Sequence, residues 1–408
     1  MLKWFKKSVD VASNQQLAVE PALPLDLLRS DFVADPYPTY SWLRAHCPVA
    51  EIAGGGYLLT KHADIRAALT DPKLGNAPSR FSTLSARNSE KYVAADLASH
   101  ISPFLDGDAH VKTRQMTSRA FFNALKGFKG EVEALAKVQV ARLISNADLV
   151  SQGSQPFALN VMCKFCGMDV DPSQMKILTQ AFFHLFAPLR DPEAFVEVNE
   201  SLSVFRKVIR KSLREGPPQN SLLSELQTFA KTGDEFSEDQ VVDNCLLVFA
   251  DGVENIEAAA ASLLVTFEQF DVFSGLESDE FSLEQAIHEG LRLQTPAQLI
   301  PRVARENICL GGLEIKKDMP VFLALASGNR DALVFDEPDI FNATRDFRKS
   351  LTFGQGRHRC IGEPLAMLQL SSFMGALIEV GLRPNTLCLN YQARIGHRWP
   401  RELRLKMA

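Results

Sequence analysis

No apolar run in this 408-residue chain approaches the ~20 residues needed to span a bilayer. The opening Met1-Leu2-Lys3-Trp4-Phe5-Lys6-Lys7 is basic and aromatic. No long apolar stretch follows it, so neither a secretory signal nor an anchor is expected. Positive charge is not in excess: 44 Lys and Arg against 49 Asp and Glu leave a net charge of -5, which argues against a general nucleic-acid binder. Cysteine is sparse and odd in number, seven in all. Without a secretory signal this points to free thiols in a reducing compartment, and the expected location is cytoplasmic. Cys163 and Cys166 form a C-x-x-C, but it lies in the apolar stretch 159–170 with no second pair at metal spacing, so it reads as core. What is present, 46% hydrophobic and 23% charged residues, is ordinary for a globular chain with a sizeable core. The expected organisation is a flexible tail over 1–20 and one domain over 21–408.

Several local patterns predict structure. Apolar runs at 49–53 and 57–60 flank Gly54-Gly55-Gly56 and predict a hairpin. Residues 74–99 are weakly patterned and rich in serine, which predicts a long loop with one helical turn. Ser237 with Gln240 forms a capping box, and the helix it opens runs to about Phe270, a length of about 50 Å at ~1.5 Å per residue. This helix is apolar on nearly all sides and is therefore expected to be buried. The group Asp251-Gly252-Val253-Glu254-Asn255 inside it needs a reason. Glycine costs a helix roughly 1 kcal/mol relative to alanine, and buried acids cost more unless paired, so the pattern suggests a site. His110 and Arg114, four apart, and Glu289 and Arg292, three apart, share helix faces. A solvated face would carry either pair equally well.

The most specific stretch is 351–362, Leu-Thr-Phe-Gly-Gln-Gly-Arg-His-Arg-Cys-Ile-Gly. Phe353, Gly354, Gly356, His358, Cys360 and Gly362 fill F-G-x-G-x-H-x-C-x-G, a match expected by chance on the order of once in a million. The segment resembles the haem-binding loop of bacterial cytochromes P450, whose cysteine thiolate is the axial ligand to iron. The residues make chemical sense of that likeness. Cys360 precedes a helical pattern (Ala366, Leu370, Phe373, Met374, Leu377, Ile378, closed by Gly381 and Pro384), where free N–H groups favour an anion. The loop glycines would let backbone approach a flat macrocycle.

The resemblance implies a mainly helical fold with small β-sheets, and haem b held between the long central helix and the Cys360 loop. It implies Cys360 as iron ligand, Phe353 and Gly354 as loop contacts to the cofactor, and His110, Arg114, Arg302 and His358 as partners of the haem propionates. The central helix is similar to the family's G-x-[DE]-T, with Asn255 where threonine is usual and Asp251 where a small residue is usual. Glu254, Asn255 and Asp251 are thus the implied catalytic set. Glu289 and Arg292 look like the family's structural ion pair, completed by Arg345, and Asn329-Arg330-Asp331 with Phe335 follow the same pattern. The 74–99 loop would cover the substrate pocket, with Phe81 and Leu84 as candidate lining residues. Phe182, Phe183, Phe186 and Phe195 suggest an apolar pocket.

The implied activity is reductive O2 activation and insertion of one oxygen atom into an apolar small molecule. No flavin or iron–sulfur motif is present, so electrons are expected from a separate ferredoxin-type protein, docking where Lys112, Arg357 and Arg359 gather. Two alternatives are a peroxide-using enzyme of the same fold, which would need a distal arginine–carboxylate pair, and a non-catalytic haem sensor.

Overall fold

A computed structural model describes residues 18–143, 147–186, 192–232, 236–382, 385–391, 394 and 396–406. The expected tail therefore lies almost wholly outside the described residues. Among the described residues nine short strands accompany the helices: Val49–Glu51 (β1), Tyr57–Leu59 (β2), Leu74–Gly75 (β3), Leu299–Ala304 (β4), Ile308–Leu310 (β5), Leu313–Ile315 (β6), Pro320–Ala324 (β7), Asn385–Tyr391 (β8) and Pro400–Lys406 (β9). They form a sheet in the order β1-β2-β7-β4-β3 and two hairpins, β5-β6 and β8-β9. The predicted hairpin is β1-β2, and Gly54, Gly55 and Gly56 all turn with positive φ, where glycine alone is unstrained. A Cβ on Gly56 would come within 2.7 Å of the Pro320 carbonyl oxygen, so the parallel β2-β7 contact tolerates only glycine there. That contact joins segments more than 250 residues apart in the chain.

The central helix, Glu238–Gln269, starts at the predicted capping box with both bonds formed. The Gln240 N–H donates to Ser237 Oγ at 3.2 Å, and the Ser237 N–H donates to Gln240 Oε1 at 2.9 Å. Helices Gln155–Cys166, Pro172–Phe183, Pro192–Glu215, Leu222–Thr232, Leu283–Leu293 and Glu363–Glu379 pack around it. Its burial is nearly complete: in 241–264 only Asp251, Gly252 and Asn255 are not buried. A Cβ on Gly252 would meet Met162 Sδ at 2.5 Å, so the glycine lets the Gln155–Cys166 helix approach closely. Cys163, Cys166 and Cys245 are buried free thiols in this core. Among the described residues, no helix is long and apolar enough to cross a membrane.

Beside the core, Arg292 is among the largest fully buried side chains. Its Nε and Nη2 donate to the two carboxylate oxygens of Glu289, both at 2.8 Å, and Nη1 donates to the carbonyls of Asn329 and Pro338, both at 2.7 Å. Glu289 Oε1 also accepts from the Asn342 N–H at 2.9 Å and from Arg345 Nε at 3.2 Å. The predicted pair is thus a triad that clamps the non-helical segment 329–345.

The 74–99 segment holds more structure than its composition suggested. It contains β3, a 3-10 turn at Ala86–Asn88 and the helix Val93–Ala98. Phe81 is 70% exposed beneath Arg80, whereas Leu84 is buried in the main core. The short helix is held by charge. Arg206 forks onto Asp243 (2.7 and 2.6 Å) and reaches Asp96 at 2.8 Å, while His100 Nδ1 meets Asp243 Oδ2 at 2.7 Å. The bond to Asp243 raises the pKa of His100 above its ordinary value, against the effect of burial. A raised imidazole pKa stabilises the fold fully below the unfolded value of ~6.5, and this is lost as pH climbs through the folded value. His100→Gln should therefore cost about 1.5 kcal/mol near pH 6 and progressively less toward pH 9, read from denaturation midpoints of both proteins across that range. A gap that does not change with pH would show that the imidazole contributes no charge.

Candidate functional site

The Cys360 loop is shaped by its own backbone bonds. The Cys360 N–H donates to the Phe353 carbonyl at 2.9 Å, the Gly354 N–H to Leu351 at 2.8 Å and the Arg359 N–H to Gly356 at 3.1 Å. Gly354 and Gly356 take positive φ, and a Cβ on Gly356 would meet Thr70 Cγ2 at 3.0 Å. The helix Glu363–Glu379 follows with Gly362 as its N-cap, and Gly362 donates its backbone N–H toward the Cys360 sulfur. The cysteine side chain is accessible to a water-sized sphere, yet protein surrounds it at longer range, as expected for a group lining an interior recess. Burial, joined by the Asp251 charge, pushes the thiol up to about 11, more than Gly362 and Arg114 lower it. Helix polarity alone therefore does not make the thiolate; a bound cation is needed to displace the proton.

Across the recess stands the uncovered arc of the central helix. Positions 251, 252 and 255 fall within about 100° of one another, and the influence of Asp251 on the Cys360 thiol places this arc toward the sulfur. Burial raises the Asp251 carboxyl to about 7. Asn255 Nδ2 donates to the Asp251 carbonyl at 3.3 Å, while its Oδ1 is buried without a partner. Glu254 is turned away from the arc. Its Oε1 accepts from Thr179 Oγ1 at 2.8 Å and its Oε2 faces Arg394 Nη1 at 3.4 Å, with burial raising its pKa. Glu257, one turn on, accepts from Gln155 Nε2 at 2.7 Å and is raised to about 8 by burial. Thr179 and Arg394 were invisible to sequence reasoning, because each lies over 70 residues from Glu254 and no local pattern marks it.

The four predicted cationic or donor groups gather beside the cysteine loop. The His110 and His358 rings lie 4.0 Å apart between centroids, and the Nε2 atoms of both are buried without a partner. Burial, then His110 and Arg302, drive His358 down to about 3; burial and Arg114 lower His110. Arg302 is 2% exposed, donates to the adjacent Pro301 carbonyl at 2.9 Å, and is lowered to about 10 by burial. Arg114 donates to the Arg359 carbonyl. The nearby Asp106 is committed elsewhere, accepting from Arg305 and from the N–H groups of Asn76 and Ala77. This donor set is complementary to carboxylates brought by another molecule.

Residues 282–380 match the family model described as Cytochrome P450. Putative cytochrome P450 133B1 of Xylella fastidiosa is 26% identical over 373 residues, covering 87% of this chain and 90% of the relative. Cytochrome P450 109 of Bacillus spizizenii is 27% identical over 365 residues, covering 85% and 84%. The fold matches the solved structure of P450BioI in complex with hexadec-9Z-enoic acid ligated acyl carrier protein, with TM-score 0.82 and 22% identity over 93% of this chain and 99% of that one. Over most of its length the chain is similar in sequence to cytochromes P450, and it shares their fold. Cytochromes P450 hold haem through a cysteine thiolate. Haem suits what this chain presents: a cysteine at a helix N-terminus, an uncovered helix arc opposite it, and buried donors lacking the anions that two propionates would bring.

Proposed function

We propose that this chain inserts one oxygen atom from O2 into an apolar small molecule, using haem b ligated by Cys360 and electrons from a separate ferredoxin-type protein. The observation that carries the reading is the juxtaposition of the Cys360 sulfur with the one uncovered arc of an otherwise buried helix. When bound, haem supplies the redox chemistry of O2 reduction and cleavage, which a thiolate ligand favours by pushing electron density toward the O–O bond. His110, Arg114, Arg302 and His358 would hold its propionates, and Phe353 and Gly354 would contact it from the cysteine loop. Lys112, Arg357 and Arg359, all exposed, offer positive charge for docking the electron donor.

On the other side, Asn255 Oδ1 is a free acceptor, so it can orient a water whose proton points along the arc. Glu254 stands behind, held by Thr179 and Arg394, as a gate for protons arriving from that side. Among the described residues no arginine–carboxylate pair of the kind a peroxide-using enzyme would need lies on the arc; Arg394–Glu254 lies behind it, which favours O2 as oxidant. Coupling tests the assignment. Asn255→Ala should divert most electrons from product to peroxide, whereas Asn255→Thr, which retains an acceptor oxygen, should preserve most of the yield. The ratio of product formed to reducing equivalents consumed reads this directly, and an alanine variant that stays fully coupled would remove Asn255 from the mechanism.

A further inference from the structure

The uncovered arc also carries information about what binds there. Gly252 has no side chain, and the amide nitrogen of Asn255 is spent on the Asp251 carbonyl. What remains are two acceptors one turn apart: the Asp251 carboxylate and Asn255 Oδ1, with Cβ atoms about 5–6 Å apart at this spacing. Neither acceptor has a protein donor among the described residues. Asn255 Oδ1 is buried and unpartnered, and burial alone acts on Asp251, with no cation contributing. The contrast with the same helix is informative. Glu254 has Thr179 and Arg394, and Glu257 has Gln155. The cationic side chains of the site are likewise occupied or distant in role: Arg394 faces Glu254, and His110, Arg114, Arg302 and His358 gather beside the cysteine loop.

An ionised carboxylate withdrawn from water costs several kcal/mol unless a proton or a cation compensates it. Among the described residues no cation acts on Asp251, so where the carboxyl is ionised a cationic complement would come with the ligand. A group that satisfies both acceptors needs positive charge and at least two N–H donors, which is the description of a protonated amine. We propose that Asp251 and Asn255 together form an ammonium-binding pair, and that the substrate class of this pocket is an apolar molecule bearing a basic nitrogen. The inference rests on the reading of this recess as the substrate side of the haem, and it refines the apolar substrate named above.

The test is binding of a matched pair of probes to the purified holoenzyme, by calorimetry at pH 8, where the amine is protonated. N-methyl-4-phenylbutylamine carries a secondary ammonium with two N–H donors, and hexylbenzene is its all-carbon isostere. Wild-type protein should bind the amine at least about tenfold more tightly than the hydrocarbon. Asp251→Asn should reduce that preference to near unity, and Asn255→Ala should reduce it in part. Equal affinity of wild type for both probes, or an unchanged preference in Asp251→Asn, overturns the proposal. So does a red-shifted haem absorption with the amine in both proteins, since that reports nitrogen bound to iron rather than to the carboxylate. The haem reading is scored separately: a thiolate-type carbon monoxide band with no amine preference defeats only the ammonium pair, whereas absence of that band in wild type defeats the haem-thiolate reading itself.

Discussion

Cys360→His should abolish the long-wavelength absorption of the reduced carbon monoxide complex that marks thiolate ligation, and product formation should fall to background. The reason is positional. Cys163, Cys166 and Cys245 are buried between helices of the main core, and Cys309 is exposed on β5, so none of these can replace the sulfur that faces the central helix. Imidazole is neutral when it binds a metal and lacks the electron push of a thiolate, so a histidine variant that still holds haem loses the spectral signature and the chemistry together. Cys309→Ser, by contrast, should leave both unchanged. Because burial holds the Cys360 thiol at about 11, haem uptake should also release a proton from wild-type apoprotein at neutral pH, and Cys360→Ser should not release it. A wild-type spectrum of the imidazole-ligated kind, or a thiolate band surviving in Cys360→His, would refute the ligand assignment.

Arg292→Ala should destabilise the protein by roughly 3–5 kcal/mol, the cost of leaving a buried carboxylate without its partner. The loss is not confined to Glu289. The guanidinium also holds the Asn329 and Pro338 carbonyls, and the Asn329 side chain in turn accepts the Leu351 N–H at 2.6 Å and donates to Thr352 Oγ1 at 3.1 Å. The network therefore ends on the first residues of the cysteine loop, and its removal should speed haem loss as well as lower the denaturation midpoint. Arg292→Lys should fail to rescue, because an ammonium cannot donate in a planar fork to Glu289 while bonding two carbonyls on its other side. Should Arg292→Ala not accumulate as folded protein, Glu289→Gln keeps the shape and tests the charge alone. A lysine variant with wild-type midpoint and haem retention would show that charge suffices and geometry does not matter.

The features legible in the primary structure are those governed by short-range constraints. Three successive glycines dictate the β1-β2 turn because only glycine takes those φ values without strain. Ser237 and Gln240 mark the start of the central helix because the capping box closes within four residues. The loop at 351–362 is readable because its glycines, histidine and cysteine act on one another's backbone within a dozen positions. Which partner each buried charge finds is another matter. Asp251, Glu254 and Glu257 lie within seven residues on one helix, but each residue step turns the side chain by about 100°. Only the packing of the surrounding helices decides that Glu254 meets Thr179 and Arg394, that Glu257 meets Gln155, and that Asp251 is left on the uncovered arc. Phe81 turning to solvent, and Asp243 gathering Arg206 and His100, were likewise beyond local pattern. Those outcomes depend on contacts between residues far apart in the chain, whose free energies are settled by the assembled core.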